Sequence, residues 1–262
     1  MRDYYNYLLT FSQSLQNFDS GKESQVSSER KKISENLERE DYINKDSSSK
    51  QSVLYFHGEG AQVEKEIPSL IEYLHSIILE LINFKIDSSC EILVVGMGNQ
   101  FMTADSLGIE VAKRLIPTRH IKQKKEISSP SLSVLIPNVL GVTGIETADA
   151  VNSICNLIKP HLVIALDSLC ATSLDRFAKT IQLTNMGITP GAGVENARKK
   201  LNKENLGCEV VAVGVPLLIQ NIITSNKKAQ KTSNLYFTSA DIDEKVRVFS
   251  KIISGAINKF VL

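Results

Sequence analysis

The sequence lacks several features that would assign it to a common functional class. Its charges nearly cancel, with 30 Lys and Arg against 29 Asp and Glu in 262 residues, so overall charge gives no support for nucleic-acid binding. No uninterrupted apolar stretch approaches the roughly 20 residues of a membrane helix. The first residues, MRDYYNYLLTFSQ, have neither the basic region nor the cleavage site of a signal peptide. Together these absences predict a soluble, intracellular protein.

Cysteine is scarce, and several catalytic motifs are missing. No two cysteines have the spacing CxxC, which argues against a zinc site and a disulfide framework. Reduced, partly buried thiols are the expected state. A thiol pair of Cys170 with His120 or His161 is a weaker alternative to a structural cysteine. The phosphate loop GxxxxGK[ST] and the serine-hydrolase motif GxSxG do not occur. The cysteines are Cys90, Cys155, Cys170 and Cys208.

Apolar patterns that alternate between strand and helix begin near residue 51. The predicted strands are QSVLYFHG, EILVVG, SLSVLIP, LVIALD, KTIQLTN and CEVVAVGVP. The predicted helices are EIPSLIEYLHSIILELINF, ADSLGIEVAKRLI, IETADAVNSICNLIKP, LLIQNIITS and ADIDEKVRVFSKIISGAINKFVL. Wholly apolar strands are typical of parallel sheets covered on both faces. The pattern therefore predicts an α/β fold in which a mainly parallel, twisted sheet lies between helices.

The first 50 residues differ in composition from the rest. Residues 1–18 alternate aromatic and polar residues and predict a short helix. Residues 19–50 are rich in Ser, Lys, Glu and Asp, and such a segment buries too little apolar surface to offset the entropy of ordering. We expect a mobile linker or surface segment there. The chain is thus predicted to divide into a variable segment, 1–50, and an α/β domain, 51–262.

A glycine turn follows the predicted strand EILVVG, in the stretch ILVVGMGNQFMTADSLG. Ligands of open parallel sheets gather beyond the carboxyl ends of the strands, where Gly96, Gly98 and Asn99 lie. A dinucleotide-binding turn would need a third glycine where Phe101 stands, so that function is disfavoured. The structural alternative is that the glycines permit a tight turn and close backbone packing.

Two aspartates are the main candidates for chemistry. Asp105 lies near the start of a predicted helix, where an acid commonly caps free N–H groups or interacts with the helix dipole. Asp167 ends LVIALD, and an acid that closes an apolar run is desolvated unless it is paired. Two acids on one rim of a sheet could share a proton, so that one activates water and the other protonates a carbonyl oxygen. The same pair could instead hold a divalent metal, with His120 as third ligand.

The segment TNMGITPGAGVENARKK, residues 184–200, is the second unusual stretch. Its glycines and Pro190 predict a shaped loop. The loop could line a substrate cleft, or it could be an ordinary mobile loop. We expect substrate contacts from Asn99, Arg119, His120, Gly187, Gly191, Gly193 and Arg198.

Seven segments together resemble one protein family. They are GMGNQFMTADSLG, PTRHI, NVLGVTGIET, LVIALDSLCATS, TIQLTNMGITPGAGVENARK, LGCEVVAVGVP and YFTSADIDEKVRVFSKIISGAINKFV. In this order and spacing they resemble the spore germination protease, the endopeptidase that degrades small acid-soluble spore proteins when endospores germinate. The resemblance covers residues 51–262.

The resemblance implies a fold and an active site. It implies a three-layer fold similar to phosphorylase and the hydrogenase maturation proteases, and an aspartic site that maps onto Asp105 and Asp167. It also implies a cytoplasmic enzyme of the forespore or spore core, made as a zymogen and assembled into tetramers. Small acid-soluble spore proteins are the implied substrate. No cofactor, direct nucleic-acid contact or membrane contact is implied.

This sequence departs from the family pattern at several positions. Ala104 stands where members usually carry proline, and the N-terminal Arg-Thr-Asp processing region is not recognisable in residues 1–50. Substrate preference or rate is therefore expected to differ. Two alternatives stay open: a metal-dependent maturation-type protease and a non-catalytic relative in the forespore. The loop departs from the usual His, Ser, Gly and Lys at Thr189, Ala192, Glu195 and Ala197.

Overall fold

One mixed sheet organises the described part of the chain. The computed structural model describes residues 26–44, 49–57, 61–122, 128–171, 173–190, 199–221 and 235–262. The strands are β1 Val26–Lys32, β2 Leu37–Asn44, β3 Lys50–Phe56, β4 Glu91–Gly96, β5 Ser131–Leu135, β6 Leu162–Ala171, β7 Thr180–Thr184, β8 Glu209–Asn221 and β9 Leu235–Phe237. Their order is β1-β2-β3-β7-β8-β6-β4-β5, and β9 pairs with β8.

The sheet has a parallel part and an antiparallel part. Strands β8, β6, β4 and β5 are parallel to one another, and the other five of the eight pairings are antiparallel. The predicted α/β class is confirmed, but the prediction of a mainly parallel sheet is wrong. Apolar runs report which strands are buried on both faces, and they do not report the direction in which a neighbouring strand runs.

Helices pack on the sheet with the faces that the sequence predicts. They are α1 Ala61–Leu81, α2 Leu107–Ala112, α3 Arg119–Lys122, α4 Leu140–Thr143, α5 Thr147–Ile158, α6 Lys203–Leu206 and α7 Ile242–Asn258. The apolar stripes of α1 and α7 lie in one core cluster. The helix predicted from Glu66 begins instead at Ala61, so Pro68 lies inside α1. Among the helices of the described ranges, none has the length and apolarity to span a bilayer.

Both faces of the parallel part are covered. Ile92 and Val94 of β4 belong to a core cluster with α1, α2 and α7, whereas Leu93 and Val95 belong to a second cluster with α5. Because side chains alternate along a strand, these two clusters lie on opposite faces, which we call the α1 face and the α5 face.

Residues 26–44 differ from the linker that their composition predicts. They form the hairpin β1–β2, and β2 pairs with β3, so the hairpin extends the sheet. Leu37 of this hairpin is buried in the same core cluster as α1 and α7. Charged side chains pair across it, as with Arg30 and Glu38 at 2.7 Å. Backbone pairing with an existing sheet orders this polar segment without a core of its own. The division at residue 50 stays a prediction, and the short helix predicted for 1–18 lies outside the described residues.

The segment after Pro216 is strand and not the predicted helix. Strand β8 continues to Asn221, where it pairs with β9. Leu218 also pairs with Cys170 of β6, just beyond a register shift. Proline has no N–H to donate, and it is tolerated in strands at such irregularities. Pairing partners on both sides of β8 therefore override the local apolar pattern that predicts a helix.

Candidate active site

Asp105 is held by a tight loop after β4. It ends a 3-10 turn, Thr103–Asp105. The backbone N–H of Asn99 donates both to the Asp105 carbonyl oxygen, at 2.9 Å, and to its carboxylate oxygen Oδ2, at 3.1 Å. Gly98 has a φ of +118°, and a Cβ there would lie 1.9 Å from the Asp105 carbonyl oxygen. The tight-turn interpretation of the glycines is therefore confirmed, and Asn99 lies beside Asp105.

A second glycine contact brings α2 onto the strand ends. A Cβ on Gly108 would lie 2.4 Å from the Met97 carbonyl oxygen and 2.5 Å from that of Leu166. A Cβ on Gly96 would likewise lie 2.4 Å from the Gly108 carbonyl oxygen. Only residues without side chains allow this approach. The 3-10 turn with Asp105 is therefore held at the carboxyl end of β4, beside Leu166 of β6.

Asp167 lies at the same edge of the sheet. It follows Leu166, which pairs with Gly96, the last residue of β4. The strand does not end at Asp167 as predicted, because β6 continues to Ala171. The Ser168 N–H donates to the Asp167 carboxylate oxygen Oδ1 at 2.9 Å. The Leu107 N–H donates to Ser168 Oγ at 3.3 Å, so the segments that carry the two aspartates are joined by a hydrogen bond.

Burial changes the acidity of Asp105. Desolvation raises its pKa to about 6, and the hydrogen bond from the Asn99 N–H acts in the opposite direction. Burial disfavours the charged carboxylate, whereas the N–H stabilises it. A carboxyl group with this pKa exchanges a proton closer to neutral pH than an exposed aspartate does. Such a group is suited to general acid–base chemistry.

Other residues predicted to contact substrate lie away from the aspartates. The Arg119 guanidinium pairs with Glu91, the first residue of β4, at 3.2 Å. His120 is the next residue and is exposed. Strand β4 has six residues, which corresponds to about 20 Å at about 3.3 Å per residue. Arg119 and His120 therefore lie at the opposite end of β4 from Asp105.

The glycine loop is only partly described. Gly187 has a φ of +76°, and a Cβ there would lie 2.0 Å from the Leu201 carbonyl oxygen. It follows β7, which runs antiparallel to β8. Gly187 therefore lies towards the edge at which β8 begins, opposite the edge with Asp167. Gly191, Gly193 and Arg198 lie outside the described residues.

The described side chains do not form a metal site of the expected kind. Within the described ranges, no group of three or more His, Cys, Asp or Glu side chains is arranged to hold a metal ion. His120, the histidine expected as third ligand, lies at the other end of β4. Ser168 and Gly108 are positioning residues that sequence reasoning missed. The small residues beside the two aspartates, in ADSLG and LDSL, were the available signal.

We expect Gly108→Ala to destabilise the protein by about 1–3 kcal/mol, because its methyl group would overlap two backbone carbonyl oxygens. Gly141→Ala is the matched control, since no atom lies within 4 Å of a Cβ placed there. Its stability should stay within about 1 kcal/mol of the wild type. Urea denaturation of both variants measures the difference. Equal stability of the two variants would contradict the close approach at Gly108.

The raised pKa of Asp105 predicts a pH-dependent stability. The folded state favours the protonated carboxyl, so the contribution of this group is fully present below about pH 4 and is lost as pH rises through about 6. Between pH 4 and pH 7.5 the wild type should lose about 2.4 kcal/mol relative to Asp105→Asn, whose amide does not titrate. Urea denaturation at both pH values measures this change. Parallel behaviour of the two proteins would argue against a raised pKa.

Comparison with known proteins identifies related sequences over most of the chain. A family model described as germination protease matches residues 13–258. The germination protease of Clostridium tetani (strain Massachusetts / E88) is 35% identical over 231 residues, which cover 78% of this chain and 71% of the relative. That of Caldanaerobacter subterraneus subsp. tengcongensis is 39% identical over 178 residues, which cover 62% of this chain and 54% of the relative.

A third relative is similar in extent. The germination protease of Clostridium perfringens (strain SM101 / Type A) is 34% identical over 221 residues, which cover 68% of this chain and 67% of the relative. The chain therefore matches from about half to seven tenths of the length of these relatives. The family match extends over most of the sequence, including Asp105 and Asp167. The chain belongs to the germination protease family and is a peptidase.

Proposed function

We propose that this chain is an endopeptidase that initiates degradation of small acid-soluble spore proteins during germination, with Asp105 and Asp167 as its catalytic pair. One observation carries the proposal. The two aspartates come from distant parts of the chain to one edge of the sheet, where the Leu107–Ser168 hydrogen bond joins their segments. The half-buried Asp105 carboxyl, with its pKa of about 6, supports proton transfer there.

The proposed mechanism is acid–base hydrolysis without a covalent intermediate. One carboxylate takes a proton from water, and the resulting hydroxide attacks the peptide carbonyl. The other carboxyl donates a proton to the carbonyl oxygen. The tetrahedral intermediate then expels the amine with a proton from the pair, while one of its hydroxyl groups returns a proton to the pair. The N–H groups of Asn99 and Ser168 orient the two carboxylates. We assign the roles of acid and base to the pair and not to individual residues, since interacting carboxylates titrate together.

The substrate, location and assembly are part of the same proposal. The names of the relatives support action in spore germination. We extend this to spore proteins as substrate, to the forespore or spore core as location, and to a zymogen that assembles as a tetramer. No direct contact with nucleic acid or membrane is proposed. The coverage of the α1 and α5 faces by helices supports a three-layer arrangement similar to the hydrogenase maturation proteases.

Two other functions have direct tests. A metal-dependent maturation-type protease would lose activity in the presence of a chelator, whereas the two-aspartate mechanism predicts unchanged cleavage. Because His120 lies at the opposite end of β4 from Asp105, we expect cleavage to be unchanged in the presence of a chelator. A non-catalytic relative would leave a purified small acid-soluble spore protein intact. Fragments that appear with the wild-type protein, and not with its aspartate variants, would exclude a non-catalytic role.

We expect both Asp105→Asn and Asp167→Asn to lower the rate of spore-protein cleavage by at least about 100-fold, because each removes one proton-transfer group. Asp175→Asn is the matched control, since Asp175 is an exposed aspartate and should leave the rate unchanged. Gel analysis of the fragments over time gives the rates, and circular dichroism tests the fold. Near-normal cleavage by either site variant would reject the pair.

A further inference from the structure

A polar row crosses the sheet beside Asp167. Asp167 of β6 pairs with Gly214 of β8, and Gly214 pairs with Gln182 of β7. Their neighbours in sequence, such as Leu166 and Leu183, belong to the α1-face cluster. Because side chains alternate along each strand, Asp167 and Gln182 both project from the α5 face. Gly214, which has no side chain, stands between them.

The floor between Asp167 and Gln182 is apolar. A Cβ on Gly214 would lie 2.7 Å from Leu169 Cγ, and the other two nearest atoms also belong to that side chain. Leu169 therefore covers the glycine. The Asp167 and Gln182 side chains thus project from the same face on either side of this apolar cover, and their backbones are about 10 Å apart, which is two strand spacings.

The Gln182 amide has no strong partner. Gln182 is 5% exposed. Within the described ranges, the only hydrogen bond of the Gln182 side chain runs from Nε2 to Thr180 Oγ1 at 3.5 Å. This distance is at the outer limit for a hydrogen bond. Buried amides in folded proteins are nearly always better satisfied than this. The described part of the chain therefore does not account for an amide at this position.

A second glutamine on the same face is also unsatisfied. Gln51 of β3 pairs with Thr184 of β7, which makes it a diagonal neighbour of Gln182, at a Cα separation of about 7–8 Å. Gln51 is 1% exposed, and in the described structure neither of its amide atoms has a hydrogen-bond partner. In contrast, the Thr184 hydroxyl donates to the Lys50 carbonyl oxygen at 2.8 Å. The two glutamines therefore share unused hydrogen-bonding capacity.

We propose that Gln182, with Gln51 behind it, forms a subsite that binds the main chain of the substrate polypeptide beside Asp167. A glutamine amide offers one donor group and one acceptor, which match the C=O and N–H of a peptide bond. Asp167 is 7% exposed, close to the value for Gln182. The inference rests on the proposed function of Asp167 in peptide hydrolysis.

The Gln182→Met variant distinguishes an amide that binds substrate from an amide that stabilises the fold. This variant keeps the length of the side chain and removes only its hydrogen-bonding groups. If the amide serves the substrate, KM for a purified small acid-soluble spore protein should rise about 3- to 10-fold. The value of kcat should change little, because the lost contact is made equally in ground and transition states. Stability in urea should stay equal to that of the wild type or exceed it.

Thr184→Val is the matched control on the same strand and the same face. It removes a hydroxyl that is satisfied within the protein, so its stability should fall while KM stays unchanged. Gln182→Met with a wild-type KM would overturn the subsite. A Gln182→Met protein that unfolds, or that is destabilised at an unchanged KM, would also overturn it, since the amide would then be structural.

A direct binding measurement separates this inference from the proposed function. Asp105→Asn, with and without Gln182→Met, is titrated with the same spore protein. We expect Gln182→Met to weaken binding about 3- to 10-fold, and equal affinity of the two proteins would overturn the subsite. Because the assay needs no cleavage, failure of the catalytic pair would appear in the rates of the aspartate variants and not in this difference.

Discussion

The backbone contact between α2 and the ends of β4 and β6 is the constraint on which the candidate site depends. Gly108 allows α2 to approach the carbonyl oxygens of Met97 and Leu166. This approach holds the preceding 3-10 turn at the carboxyl edge of the parallel strands and places Asp105 in the segment bonded to Ser168. Within this turn, burial of the Asp105 carboxyl raises its pKa to about 6.

The two parts of the sheet contribute differently to the site. The parallel strands β4 and β6 bring the two aspartates together, because β4 ends at Gly96, which pairs with Leu166, the residue before Asp167. The antiparallel strands β7 and β3 continue the α5 face as a polar surface with Gln182 and Gln51. Among the described residues, no member of the second core cluster lies on β3 or β7. Strand β8 is parallel to β6 and antiparallel to β7 and thereby joins both parts.

Polar burial in this region costs stability and is consistent with function. Asp105 is desolvated, and the Gln51 amide is buried with no partner among the described residues. Each unsatisfied amide group costs about 1–3 kcal/mol. Sites at which local stability is sacrificed are commonly those that bind or react. The satisfied hydroxyl of Thr184, between the two glutamines, shows that the same face also carries purely structural polar groups.

Apolar patterns in the sequence predict the buried strands β4, β6 and β8 and the apolar stripes of α1 and α7. Sequence motifs indicate the family and point to Asp105 and Asp167 as candidates for catalysis. Contacts in the folded chain set the antiparallel direction of β1–β3 and β7 and extend β8 through Pro216. They also place Arg119 and His120 at the far end of β4 and align Gln182 with Asp167 across β8. The physical reason is that apolar periodicity records how deeply each segment is buried. Pairing partner, direction and register arise from contacts between segments distant in the chain.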